Sequence, residues 1–406
     1  MPLSRIPDEF RTGWRILLGC SIAAGTGITL VFLNFSMFIL PLSRDLGVSR
    51  GELGAVQALI ITAAIGSPVV GRLADLFGVR RVYCASTVLM AAVHLLTASQ
   101  ASNIYHMGMA TAALGFIGVG TSSVVMTRPI NAHFREHRGK ALGLMAVGVS
   151  LVSMVSPPVL QWVMEIWSWR AGFAAMAVAA LLIGIPAVAA FLPETGRAGS
   201  GLGSKEPAAP TDRRFLRERD FWLLTLSLIF MSLATAGTIS QLAPMIQDEG
   251  LDASVAALAL TFFAGGQFVG RLGGGWLLDR FEPRRVSFAL TLAPAIGFVI
   301  LLSTSGLVPA ALLAAAIIGL QQGAELDIFS YFIGRRFDVS RYGTIYGALV
   351  GLGWIGNVGG LLGMGKIYDL YGSYAPGQAL GIAALVISAT LVLLVRLPDP
   401  AKQPHG

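Results

Sequence analysis

The chain has 406 residues, of which 54% are hydrophobic and 13% charged, about half the charge of an average soluble domain. That balance excludes a water-soluble globule. The formal net charge of +7 then reports topology and contact with anionic headgroups, and is no sign of nucleic-acid binding. Cys20 and Cys84 both lie in apolar stretches and supply no disulfide framework.

Residues 1–13 contain Pro2, Pro7, Asp8 and Glu9 and lack the pattern of a cleavable signal, so the first apolar block is expected to be retained. That block is the first of six, each near the length that crosses a bilayer at 1.5 Å per residue: 14–40, 52–75, 81–99, 103–127, 140–164 and 170–192. LPETGRAGSGLGSKEPAAPTDRRFLRERD (192–220) interrupts them with Gly, Ser, Pro and charge, and reads as a flexible linker. Six more blocks lie at 221–245, 254–278, 286–304, 307–331, 343–367 and 376–396. The expected organisation is a six-helix bundle over 1–192, a cytoplasmic linker over 193–219 and a second bundle over 220–406. The chain is an all-α membrane protein.

Basic residues set the expected orientation. With the N-terminus inside, 24 of the 29 Lys and Arg residues fall on the cytoplasmic side, among them Arg80, Arg81, Arg335 and Arg336. Four fall outside (Arg44, Arg50, Arg170 and Lys366), and Arg271 belongs to neither side. Both termini are therefore expected in the cytoplasm.

The two halves repeat one another. GRLADLFGVRRV (71–82) lies over GWLLDRFEPRRV (275–286) at an offset of 204 residues. RGKALG (138–143) overlies YGTIYG (342–347), and Gly115 overlies Gly319, at that same offset. Duplication of a six-span unit is a transporter signature, with the substrate site expected near midplane between the halves.

GRLADLFGVRRV resembles the loop motif between the second and third helices of the major facilitator superfamily, and GWLLDRFEPRR its second-half copy. NAHFREHRGKALGLMAVGVS (131–150) and GKIYDLYGSYAPGQALG (365–381) are similar to segments of the monocarboxylate porters and their bacterial relatives, including the oxalate:formate exchangers. The N-terminal family signature survives only as Gly13-Trp14. The resemblance implies two pseudo-symmetric six-helix bundles, a bacterial inner-membrane location and a conformational latch at Asp75 with Arg80 and Arg81, echoed at Asp279. The alternative for these charges is topology alone.

Arg271 is the main candidate for chemistry. The sixteen residues before it, VAALALTFFAGGQFVG, carry no charge, and it lies eight residues before Asp279 at the membrane edge, hence ~12 Å deeper at helical rise. A central arginine costs ~2.5–3.5 kcal/mol on insertion scales and must face protein or water. Its planar fork suits a carboxylate, and Arg271 matches the substrate arginine of the monocarboxylate porters. The alternatives are a buried pair with Glu325 or Asp327, or snorkelling towards the cytoplasm.

Other candidates surround it. The family often has an acid four positions before this arginine; Gln267 stands there instead, able to hydrogen-bond but not to titrate. Glu325 and Asp327, in GLQQGAELDIFSY (319–331), point ~200° apart on one helix, and one of them is expected to carry a coupling proton; helix packing is the alternative. The oxalate:formate exchangers have a second cation on the eleventh helix, but GLGWIGNVGG (351–360) offers Asn357 and no lysine, which favours a monoanion. Trp354, Phe262, Phe263 and Tyr331 are candidates for an apolar pocket wall, against a packing role. Asn34 and Gln241 can hydrogen-bond substrate. His94 reads as a packing residue, and Arg128 as an inner-gate residue or a ligand.

The expected function is secondary transport of a small organic monocarboxylate (lactate-like, keto or aromatic) by alternating access with proton symport, the chain acting as a monomer. A carboxylate exchanger without proton coupling, or a drug or metabolite exporter, is the alternative. The sequence holds no metal-ligand cluster, nucleophile constellation or P-loop, so no cofactor, enzyme activity or ATP-driven pumping is expected.

Overall fold

The computed structural model describes residues 7–193, 213–303, 306–337 and 341–397. Among them, twelve helices are long and apolar enough to cross a membrane. The first half holds α1 (Asp8–Leu46), α2 (Arg50–Phe77), α3 (Val79–Gln100), α4 (Ile104–His133), α5 (Arg138–Ile166) and α6 (Trp169–Phe191). The second holds α7 (Arg219–Asp248), α8 (Ala253–Arg280), α9 (Pro283–Ser303), α10 (Val308–Arg336), α11 (Tyr342–Tyr371) and α12 (Ala375–Leu393). The expected 193–219 linker lies largely outside the described residues; Arg213–Arg217 forms a short 3-10 turn leading into α7.

The helices outrun the apolar blocks because their ends are capped, not merely hydrophobic. Gly47 takes φ +65° to close α1, a left-handed conformation that favours glycine. Two residues on, the Ser49 hydroxyl accepts from the Glu52 N–H while the Glu52 carboxylate accepts from the Ser49 N–H, a reciprocal cap that starts α2. Large apolar side chains such as Ile65 and Leu182 stand exposed on the bundle exterior, as lipid contact requires.

Hydropathy does not anticipate two breaks in the first half. α1 is interrupted between Gly25 and Ile28, and α4 around Val119–Thr121. The breaks face each other: the Ile28 N–H, freed from its own helix, donates to Thr121 Oγ1 at 3.0 Å.

Glycine seams hold each half together. In the second half a Cβ on Gly266 would meet Ala316, on Gly270 the Leu320 carbonyl, and on Gly323 the Gln267 carbonyl. Backbone therefore meets backbone along α8 and α10. The first half repeats the device at the 204-residue offset: Gly66 abuts Phe116, as Gly270 abuts Leu320.

With an even number of spans, α1 starts and α12 ends at one face, called here the terminal face; the opposite one is the far face. Packing between the halves gathers towards the far face. Gly54 lies against the Leu361 carbonyl and Gly365 against the Arg50 carbonyl, joining α2 to α11. Thr261 of α8 donates to the Met154 carbonyl of α5 at 3.0 Å.

Gly270→Ala is expected to lower stability by ~1–3 kcal/mol, because its methyl has only backbone to displace. Gly363→Ala in α11, with nothing within 4 Å, is expected to be neutral or to gain up to ~1 kcal/mol from helix propensity. Thermal unfolding of both variants in detergent checks the contrast.

Candidate substrate site

The glycine seam determines what surrounds Arg271. The α8 and α10 helices run in the same direction, and Arg271 and Asp327 each lie nine residues before their helix ends. Both therefore sit ~13 Å in from the terminal face. A Cβ on Gly323 would touch the Arg271 backbone nitrogen, and one on Gly274 would lie 3.7 Å from an Asp327 carboxylate oxygen. Small residues thus bring the cation and the acid to one level.

Arg271 is half-buried, and its Nε–H, sealed from solvent, has no hydrogen-bond partner. Asp327, also half-buried, is the charged group that acts on it. The cation thus has a carboxylate at its depth on the neighbouring helix and a hydrogen-bond donor left unsatisfied. A planar acceptor with two oxygens has donors left to occupy.

Glu325 points elsewhere. It is 7% exposed and accepts from Ser232 Oγ of α7 at 3.4 Å and from Gln322 Nε2 at 2.8 Å. The two carboxylates therefore serve different helix contacts, as their angular separation predicts.

Gln267, one turn before Arg271, is half-buried, as are Trp354 and Asn357 on α11. Tyr331 is half-buried, with the Arg335 guanidinium 5.2 Å from its ring centre. Phe263 is 2% exposed and buried against α10, whereas Phe262 is 43% exposed and lines a groove with Met154, Val269 and Ile317. Phe262 is therefore not a wall of the polar site.

Asn34 is fully buried in α1. Its Nδ2 donates to the Leu30 carbonyl at 2.8 Å and to Ser156 of α5 at 3.0 Å, leaving Oδ1 without a partner. Gln241 lies far from Arg271 in depth. It is seven residues from the far end of α7, ~10 Å, whereas Arg271 is eighteen residues from the far end of α8, ~27 Å. The structure does not bring these two side chains together.

Among the motif residues, Asp75 of α2 takes Arg128 of α4 at 2.5 Å, and Arg128 also donates to the Gly71 carbonyl at 3.0 Å. This pair braces one half internally. Arg80 is half-buried; Arg81 and Asp279 are exposed. His94 is buried with its ring 5.9 Å from Phe173, and its Nδ1 has no partner.

One cluster was not anticipated as a unit. At the far face Arg50 of α2 holds Asp248 of α7 through two hydrogen bonds of 2.5 and 2.8 Å, and donates to the Tyr374 hydroxyl at 2.9 Å. The Tyr374 hydroxyl in turn donates to Gln241 Oε1 at 2.9 Å. Tyr368 lies with its ring centre 3.7 Å from the guanidinium carbon, and Asp369 accepts from the Gly51 N–H at 3.0 Å. The sequence carried a signal: Arg50 is among the few basic residues expected on that side, and its aromatic partners lie within GKIYDLYGSYAPGQALG.

Three comparisons bear on this arrangement. A family model described as Major Facilitator Superfamily matches residues 17–349 and 230–406. Monocarboxylate transporter 13 of Bos taurus is 24% identical over 397 residues, 97% of this chain and 91% of that protein. The gallate transporter of Pseudomonas putida is 25% identical over 421 aligned residues, covering 91% of each. In solved structures, a single-residue mutant of the nucleoside transporter NupG superposes with a TM-score of 0.73 at 14% identity, covering 93% of this chain and 98% of that one.

A double-mutant cycle separates the two acids. Arg271→Gln combined with Asp327→Asn is expected to show a coupling of ~0.5–3 kcal/mol in thermal or denaturant stability, whereas Arg271→Gln combined with Glu325→Gln is expected to add within ~0.5 kcal/mol.

Proposed function

The chain belongs to the major facilitator superfamily, and on that premise we propose that it is a secondary transporter of a small organic monocarboxylate, coupled to protons and working by alternating access. The observation that carries this reading is the half-buried Arg271, level with Asp327 on the adjacent helix and with a sealed, unpartnered Nε–H. Relatives named for monocarboxylates and for gallate support the same substrate class, carboxylates with a compact organic body.

The mechanism follows from charge conservation in a low-dielectric site. In the empty state Arg271 and Asp327 balance. A substrate carboxylate takes the donors of Arg271 and adds one negative charge, which membrane burial penalises. Asp327 removes that charge by taking a proton, so the loaded site has the same net charge as the empty one. One anion and one proton then cross together, without net charge movement. Glu325, held by Ser232 and Gln322, acts as a packing and hydrogen-bonding residue in this scheme. Gln267 and Asn357 supply neutral hydrogen bonds to the substrate's remaining oxygens, and Trp354 and Tyr331 flank its apolar part.

The packing of the halves against each other near the far face, at Gly54, Gly365 and Thr261, suits a state that opens towards the terminal face. We assign that face to the cytoplasm of a bacterial inner membrane, because the sequence reading assigns 24 basic residues to that side and four to the other. One chain contains both halves, so a monomer suffices.

Uptake into proteoliposomes tests the reading. A pH gradient is expected to drive accumulation of a monocarboxylate but not of its amide, and a membrane potential alone is expected to have no effect. Arg271→Gln should reduce uptake at least ~100-fold, in line with loss of a buried charged contact. Asp327→Asn should abolish pH-driven accumulation while retaining exchange. Equal uptake of the amide, or full activity in Arg271→Gln, refutes the carboxylate site. Accumulation driven by counter-substrate but not by a pH gradient in the wild type would identify an exchanger without proton coupling.

A further inference from the structure

Ion pairs that join helices among the described residues are of two kinds, and the difference has a mechanical meaning. Asp75–Arg128 joins α2 to α4, Asp45–Arg170 joins α1 to α6, and Arg336 joins α10 to Asp220 at the start of α7. Each ties helices of one half, so it survives any motion of one half against the other. Arg50–Asp248 ties the first half to the second.

The Arg50 side chain is 11% exposed. Its carboxylate partner Asp248, its hydroxyl partner Tyr374 and the faces of Tyr368 and Tyr374 all belong to the second half. Next to it, the Gly51 N–H at the start of α2 is held by Asp369. The cluster stands where α2 and α11 come closest, at Gly54 and Gly365. Any separation of the halves at the far face must break it.

Two features keep the cluster releasable. Gln241, fully buried beneath it, has its Oε1 satisfied by Tyr374 but its Nε2 without any partner. Closure therefore strands a donor that opening would return to water. Beside the pair lies a cavity of about 440 Å³ lined by Ser43, Arg44, Gln247, Asp248 and Asp252, and Asp248 is itself 30% exposed. Water on the far side thus has access to the carboxylate.

We propose that Arg50 is the far-side lock of the transport cycle: a first-half guanidinium clamped by Asp248, Tyr368 and Tyr374 of the second half, which closes the site to the far side and is released when the site opens there. The lock does not depend on what Arg271 binds.

The test is a far-face distance measurement in full-length protein reconstituted in lipid nanodiscs. Spin labels replace the exposed residues Tyr105 of α4 and Leu307 before α10, with Cys20 and Cys84 changed to alanine, and no substrate is needed. Arg50→Gln and Asp248→Asn are each expected to raise the population of a longer distance roughly tenfold or more, the scale of a lost charged hydrogen bond. Tyr374→Phe, which deletes a single hydroxyl, is expected to shift it less. The exchanged pair Arg50→Asp with Asp248→Arg should return towards the wild-type distribution. Distance distributions unchanged in Arg50→Gln, Asp248→Asn and Tyr374→Phe would overturn the lock, and so would a fall in thermal stability without any lengthening, since that marks a static brace. If Arg50→Gln or Asp248→Asn fails to fold, Tyr374→Phe and the exchanged pair decide.

Discussion

A permanent cation held within the membrane is the constraint on which the rest of this structure depends. Arg271 cannot discharge, so the fold must supply either a counter-charge or water at its depth. Asp327 stands at its depth on the neighbouring helix, and what puts it there is the absence of side chains. Gly266, Gly270 and Gly274 on α8, with Gly319 and Gly323 on α10, let two backbones approach until the acid and the base share a level. The site is thus built by subtraction: bulkier residues at these positions would separate the charges and leave each unbalanced in a poor solvent.

The internal duplication shows how specific that arrangement is. The seam itself is common to both halves, since Gly66 and Gly115 in the first stand where Gly270 and Gly319 stand in the second. The charges are not. At the same offset Arg271 corresponds to Ser67, Glu325 to Thr121 and Asp327 to Ser123. Ser67 simply returns its hydroxyl to the Ala63 carbonyl of its own helix. The first half instead carries the broken helices, with α1 and α4 interrupted face to face. One half contributes buried charge and the other an irregular backbone, so the otherwise similar bundles are chemically asymmetric.

Much of this was legible in the sequence. The twelve spans and the repeat offset follow from hydropathy and spacing, and Arg271 stood out because nothing else charged lies in its block. Helical period correctly separated Glu325 from Asp327, but not which of them lies against α8, because that depends on the packing of α8 on α10. Gln241 was read as a substrate hydrogen-bonding residue; counting from the far ends puts it at a different depth from Arg271, and Tyr374 draws it into the Arg50 cluster. Arg50 itself was read as a topology marker only. Its meaning lies in contacts from Asp248, Tyr368 and Tyr374, between 198 and 324 residues away along the chain, which no local pattern encodes. The helix breaks escaped for a related reason: the Ile28 N–H is satisfied by Thr121, a partner in another helix.

The claim that a substrate carboxylate takes the place of Asp327 at Arg271 is tested most directly by counting protons on binding. Purified protein in weakly buffered detergent solution would be titrated with a monocarboxylate that raises its thermal midpoint, while a pH indicator follows proton uptake. The account predicts about one proton taken up per carboxylate bound by the wild type, and none by Asp327→Asn, as linkage requires if Asp327 is the acceptor. Binding without proton uptake in the wild type, or uptake undiminished in Asp327→Asn, would contradict it.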